Sequence, residues 1–172
     1  MTSEIALRPA REEDVSLIQE HINDPEQCGE FSWFGWTSGL RMTERWKENR
    51  LLGDDYSILM VVRGEERLGF VNYRRRPLPP SGHSWVLGIG MFPEARGFGY
   101  GTEAHRLLVR YLFANTTVHR IEAETDVKNL AEQRALEKAG FSREGVTRAA
   151  CFRDGAWRDG VTYSILRTDP LP

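Results

Sequence analysis

The stretch that most constrains this chain is Pro93 to Glu103, PEARGFGYGTE, with alternate glycines at 97, 99 and 101 beside Arg96. An apolar run, Trp85 to Phe92 (WVLGIGMF), enters it, and a helix-like run, Thr102 to Ala114 (TEAHRLLVRYLFA), leaves it. The order is strand, glycine turn, helix. A helix start exposes backbone N–H groups without intrahelical partners and carries a partial positive charge. Glycines let a ligand approach that backbone without meeting a Cβ. The stretch therefore reads as an anion cradle, with phosphate the usual anion. A loop that merely turns the chain is the plainer reading, but such a turn rarely needs three alternate glycines beside an arginine.

Spacing separates the phosphate-binding patterns. A P-loop needs GxxxxGK[ST], and no Lys-Ser or Lys-Thr pair follows these glycines. A dinucleotide fingerprint needs GxGxxG and an acid roughly 20 residues on. Here the third glycine comes one residue early, although Glu122 and Glu124 could imitate the acid. The remaining pattern is (Arg/Gln)-x-x-Gly-x-(Gly/Ala), matched by Arg96, Gly99 and Gly101. Together with Asn129 to Phe141, NLAEQRALEKAGF, these residues make the chain resemble the GNAT superfamily of acetyl-CoA-dependent N-acetyltransferases. The likeness runs from about Ile5 to Arg167 and is strongest from Trp85 to Phe141. It is nearest the branch holding ribosomal-protein and antibiotic acetyltransferases.

A chain of 172 residues with 40% hydrophobic content predicts one globular domain, 1–172 with its core over 5–167. A net charge of −2 gives no sign of a nucleic-acid partner. Cys28 and Cys151 are too few for a disulfide framework or a metal cluster, and no metal site is expected. The N-terminus mixes charges without an apolar core, and no uncharged run approaches the ~20 residues of a membrane span. A cytoplasmic protein off the membrane is expected.

In chain order, Ile5 to Arg8 predicts a first strand and Glu12 to Ile22 a helix burying Val15, Ile18 and Ile22. Glu30 to Gly39 (EFSWFGWTSG) packs Phe31, Trp33, Phe34 and Trp36 among Ser and Gly. They read equally as an aromatic wall around an acceptor or as a satellite core cluster; the resemblance implies the acceptor loop here. Trp85 is grouped with that wall. Thr43 to Leu51 reads as a short helix, and Tyr56 to Val62 with Arg67 to Tyr73 as a hairpin. Arg74 to Arg76, beside a proline-rich loop, reads as a solvated patch more readily than an anion site.

Gly88 and Gly90 suggest a bulge or the close approach of another backbone. On the next helix Ala104, Leu107, Leu108, Tyr111 and Leu112 form the predicted inner face, and His105 reads as surface rather than catalytic. Arg120 to Thr125 alternates as a half-buried strand, Leu130 to Ala139 is a helix closed by Gly140, and Val146 to Phe152 pairs with Trp157 to Leu166 across Asp154-Gly155. This C-terminal hairpin is either core or an interface that would make a homodimer. The element order supports a mixed α/β sheet. The resemblance specifies a mostly antiparallel twisted GNAT-like sheet of about six or seven strands, helices on both faces, splayed between strands four and five with pantetheine in the gap.

The resemblance also assigns roles. Backbone N–H groups from Phe98 to Thr102, across Phe98, Gly99, Tyr100 and Gly101, would hold the pyrophosphate of acetyl-CoA, with Gly97 in the same turn. Arg96 would add charge or order the loop. Met91 or Phe92 would donate to the oxyanion. Asn129 would sit near the pantetheine and the reacting centre, and Lys138 would reach a CoA phosphate. From the residues alone, Asn129 also has the form of an N-cap, with Glu132 completing a capping box. Lys138 equally reads as a helix-end cation.

The chain departs from the family at three places. Val86 stands where many relatives have a glutamate base, Leu136 where many have a tyrosine acid, and Glu132 where this branch often has serine. Glu132, or a water held by Glu122 or Glu124, is the remaining base; Glu132 also reads as a solvated first-turn acid. Without a strong base, an α-amine near pKa 7.7–8.0 is a better acceptor than a lysine-type amine near 10.4. The expected function is transfer of acetyl from acetyl-CoA to a primary amine of a small molecule, by direct attack in a ternary complex. The alternatives are a peptide N-terminus as acceptor, an acetyl-CoA-binding module without catalysis, and a nucleotide-dependent oxidoreductase.

Overall fold

The computed structural model describes residues 4–172. They form a seven-stranded sheet in the order β1-β2-β3-β4-β5-β7-β6. The strands are β1 Ala6–Pro9, β2 Tyr56–Arg63, β3 Glu66–Leu78, β4 Gly82–Met91, β5 Arg120–Asp126, β6 Ser142–Arg153 and β7 Ala156–Leu166. The helices are α1 Glu12–Asn23, α2 Pro25–Cys28, α3 Leu40–Asn49, α4 Tyr100–Asn115 and α5 Leu130–Lys138. Every neighbouring pair is antiparallel except β4 and β5. This is the mixed α/β architecture expected from the element order.

Strand alternation sorts β2 between two cores. Ile58, Met60 and Val62 join Val15, Ile18 and Trp46 under α1 and α3. Leu59 and Val61 face the other way, into the layer under α4 and α5 with Leu108, Leu112 and Leu136. A register shift at Val61/Val62 lets Leu68 and Phe70, two residues apart, enter opposite cores. Asp14, fully buried, ties the first face together: it accepts from Arg8 and Arg67 at 2.6 Å each.

Four local expectations are corrected. First, β3 does not stop at Tyr73. It continues through Arg74–Arg76 because acids across the sheet take up the arginines, with Arg76 reaching Glu122 at 2.5 Å and Glu124 at 2.6 Å. Second, β4 carries no bulge at Gly88 or Gly90. A Cβ at Gly88 would lie 2.7 Å from the Asn72 amide, and one at Gly90 2.6 Å from the Phe70 ring, so side chains and not a backbone fill the space. Third, α4 is rotated from its predicted face: Ala104, His105, Leu108, Val109, Leu112 and Phe113 are buried, while Tyr111 is 41% exposed. Fourth, α4 begins at Tyr100, placing Gly101 and Thr102 inside its first turn.

The end of α5 follows its sequence signal closely. Phe141 N–H bonds Leu136 O at 3.0 Å and Gly140 N–H bonds Glu137 O at 3.1 Å. That is the paired closure in which a glycine takes the left-handed position and an apolar residue packs behind it.

Candidate active site

The glycine turn sits where β4 hands over to α4. After one 3-10 turn, Pro93–Ala95, the chain passes Gly97 at φ +83° and Gly99 at φ +82°. A Cβ at either would meet nothing within 4 Å, so glycine is required here by backbone conformation and not by crowding. Gly99 is the N-cap of α4 and offers no side-chain cap. The first backbone bond of the helix is Glu103 N–H to Gly99 O at 3.3 Å. Among the described residues none accepts from the N–H groups of Gly97, Phe98, Gly99, Tyr100, Gly101 or Thr102.

Neighbours brace this row of donors. Arg96 donates through Nε to Met91 O at 3.0 Å and through Nη2 to Gln27 O, pinning the turn to β4 and α2. Arg63 donates to the Tyr100 hydroxyl, and Phe98 stacks on the Tyr100 ring at 5.7 Å. Arg96 thus orders the loop through backbone carbonyls.

Beside the turn the sheet opens. β4 and β5 pair only from Trp85–Ile121 to Leu87–Ala123 and then part. Phe92 N–H bonds Leu68 O at 2.9 Å. The two-residue alternation of an antiparallel ladder then turns the backbone of Gly88 and Gly90 toward β3, and that of Ile89 and Met91 toward the gap. Of the two oxyanion donors expected, Phe92 has its N–H in use, while Met91 faces the opening.

The gap widens into a cleft of about 350 Å³. Its walls are Leu87 to Ile89 from β4, Glu124 to Asp126 from β5, Asn129 and Glu132 at the start of α5, Phe31 and Phe34 from the loop before α3, and Cys151, Arg153 and Asp159 from the C-terminal hairpin. Asn129 performs the N-cap role: its Oδ1 accepts from Glu132 N–H at 3.2 Å and its Nδ2 donates to Thr125 Oγ1 at 3.0 Å. Glu132 does not complete a capping box. Its Oε1 lies 2.8 Å from Nε2 of His105. His105 is 1% exposed, not on the surface, and its ring meets Phe141 edge-on. The sequence did carry a signal for it, because His105 stands three, four and seven residues before Leu108, Val109 and Leu112.

Charge in the cleft is paired. Arg153 Nη2 lies 2.5 Å from Asp126 Oδ2, and its Nη1 donates to Phe31 O. Burial raises the Asp126 carboxyl, but the Lys128 N–H and the Arg153 guanidinium outweigh it and hold it below the usual range. The same guanidinium lies 5.7 Å from the Phe31 ring and 5.9 Å from that of Phe34. Glu122, one of the carboxylates considered as a base, accepts from Ser84 and Arg76 at 2.5 Å each. Burial raises it, but Ser84, Arg120 and Arg76 together hold it low, which weakens it as a base. Glu124 lines the cleft with its charge shared by Arg76.

The aromatic loop divides. Phe31 and Phe34 line the cleft, whereas Trp33 and Trp36 pack edge to face on each other at 5.6 Å, with Trp36 82% exposed. Trp85 lies away from the cleft, 6% exposed and edge-on to Tyr73, at the start of the stretch where β4 is still paired to β5 and the gap has not opened. Lys138 is exposed at the last turn of α5, outside the cleft lining. Val86 and Leu136 are buried. Among the described residues no group of His, Cys, Asp and Glu could hold a metal ion, and no helix is long and apolar enough to cross a membrane.

Comparison with known proteins places this geometry. The family model described as "Acetyltransferase (GNAT) domain" matches residues 4–142. The "Probable N-acetyltransferase YjcK" of Bacillus subtilis is 34% identical over 122 residues, 71% of this chain and 58% of that protein. The "[Ribosomal protein uS5]-alanine N-acetyltransferase" of Escherichia coli is 29% identical over 108 residues, 63% of this chain and 55% of that protein. These matches span little more than half of each relative. Among solved structures, spermidine N-acetyltransferase from Vibrio cholerae in complex with CoA and spermine superposes with a TM-score of 0.84 over 96% of both chains. Its identity is 19%, a likeness of fold.

Proposed function

The chain belongs to the GNAT acetyltransferase domain family, and on that premise we propose that it moves an acetyl group from acetyl-CoA to a primary amine of a small molecule. The observation that carries the reading is the row of unbonded amides from Gly97 to Thr102, opening beside a gap between parallel strands. Positive-φ glycines at 97 and 99 leave that row uncovered. The residues present therefore fit a pyrophosphate at the helix start and a chain-like arm along β4.

When bound, acetyl-CoA supplies an activated thioester. The protein supplies the rest. The Gly97–Thr102 amides and the α4 dipole hold negative charge. Met91 N–H, turned into the gap, is the backbone donor for a carbonyl oxygen whose charge grows during transfer. Phe31 and Phe34 give the acceptor end an apolar wall. Glu132 is the carboxylate available to take a proton from the acceptor ammonium. A lysine-type amine, pKa near 10.4, is neutral in only about one part in 10³ at pH 7, whereas an α-amine near 7.7–8.0 is neutral in roughly a tenth. The acceptor is accordingly a small amine of low pKa, of the amino-acid or amino-sugar kind.

A peptide N-terminus is the second acceptor reading. Phe34 at 64% and Trp36 at 82% exposure leave the acceptor loop open, and one relative acts on a ribosomal-protein alanine. Thiol release from acetyl-CoA, measured across matched α-amines, amino sugars, ε-amines, polyamines and short peptides, tests both. Highest kcat/KM on low-pKa small amines supports the first reading, and on peptides the second. Preference for polyamines or ε-amines counts against both. Binding without release on any amine would make the chain a coenzyme-binding module.

A further inference from the structure

We propose that His105 positions the Glu132 carboxylate for proton transfer; the inference rests on the transferase reading above. His105 lies on α4, three residues beyond the last free amide of the cradle, buried against Phe141. An imidazole in such surroundings is costly unless its polar atoms are partnered. Nε2 has Glu132 Oε1 at 2.8 Å, while Nδ1 has no partner. A carboxylate oxygen accepts, so a ring that carries one proton holds it on Nε2. Nδ1 is then a bare lone pair and not a stranded N–H.

Two further observations make the contact directional. Glu132 stands at the third residue of α5, where a glutamate ordinarily reaches back to the N-cap amide. That amide, Asn129 N–H, bonds Asp126 O at 2.9 Å instead, leaving the carboxylate to His105. The Glu132 side chain is also 20% exposed and lines the cleft. With Oε1 held, Oε2 is the oxygen left for an acceptor. It takes one proton from R–NH3+, giving R–NH2 and a protonated Glu132. The bonding pair stays on the amine nitrogen as its nucleophilic lone pair, the proton passes on to solvent, and His105 keeps its own. A carboxylate fixed this way need not be ordered again at each turnover.

The test uses the full chain with four single variants and one double, read by NMR, by kinetics and by calorimetry. Imidazole 15N NMR should show His105 protonated at Nε2 and not at Nδ1, with the Nε2 signal displaced by Glu132→Ala. His105→Leu should lower kcat about tenfold or more, with acetyl-CoA affinity by calorimetry changed less than about twofold. His105→Gln, which keeps an N–H donor, should restore part of the loss. Glu132→Gln should cost about a hundredfold in kcat, and adding His105→Leu to it no more than about twofold further. An Nδ1-protonated ring, an undiminished kcat in His105→Leu, or the same penalty in both backgrounds would overturn the proposal. Should His105→Leu fail to fold, the spectra still decide it. A wild type that acylates no amine defeats the transferase reading, whereas an active wild type matched by His105→Leu removes only His105.

Discussion

Gly99 and His105 show how unevenly single residues announce themselves. A glycine at a helix start is visible because nothing else takes φ +82° without strain. A buried histidine is visible only through the apolar residues one and two turns away, and those admit a second, wrongly rotated face. His21 is a related case. It sits between the Phe70 and Phe92 rings, 5.4 Å from each, and is 3% exposed. Burial first, then the charge of Arg96, push its pKa from 6.5 down to about 4. The unfolded chain therefore binds a proton below pH 6.5 that the folded chain refuses until about pH 4. Stability is full above 6.5 and declines as pH falls through that window, by up to roughly 3 kcal/mol at 1.36 kcal/mol per unit. Melting temperature followed from pH 7 to 4 should drop less steeply in His21→Leu than in the wild type.

Between elements, the site depends on joints that no single stretch of sequence reveals. Arg153 closes β6 and reaches Asp126 on β5 and the carbonyl of Phe31 in the loop before α3. Both charged side chains are nearly buried, at 6% and 3% exposure, so removing one leaves the other stranded. Arg153→Met should cost about 3 kcal/mol or more in chemical denaturation and raise the acceptor KM, with the acetyl-CoA KM unchanged. Adding Asp126→Asn should recover part of the stability and none of the acceptor KM. An unaltered acceptor KM in Arg153→Met would show that the loop is held by other contacts. The sequence displayed Phe31 and Phe34 as aromatics among flexible residues but had no means of separating them from Trp33 and Trp36. That division is made by an arginine more than a hundred residues away.

Across the whole molecule, the cradle and the gap are one device, since β4 ends in the turn and also forms one side of the opening. Acetyl-CoA binding should therefore stabilise the entire fold. At a hundredfold excess over Kd the gain is about 2.7 kcal/mol, or roughly 5–10 °C in Tm for a chain of this size. Thermal melting with and without the coenzyme reads it. Gly99→Val should lose most of the increment, because a β-branched residue resists the left-handed conformation that uncovers the amides. Full retention of the increment would place the pyrophosphate elsewhere.

The local order of strand, glycine turn and helix, the cap at Asn129 and the closure of α5 at Gly140 could all be read from the chain alone. Each is set by backbone sterics and by hydrogen bonds between near neighbours. The parting of β4 from β5 is expected from the family resemblance and not from the residues themselves, whereas the burial of His105 against Glu132 and the capture of Arg76 and Arg153 by distant acids emerged only from the folded chain. Those depend on which faces meet across the sheet, and pairing between remote residues leaves no mark in a short stretch of sequence.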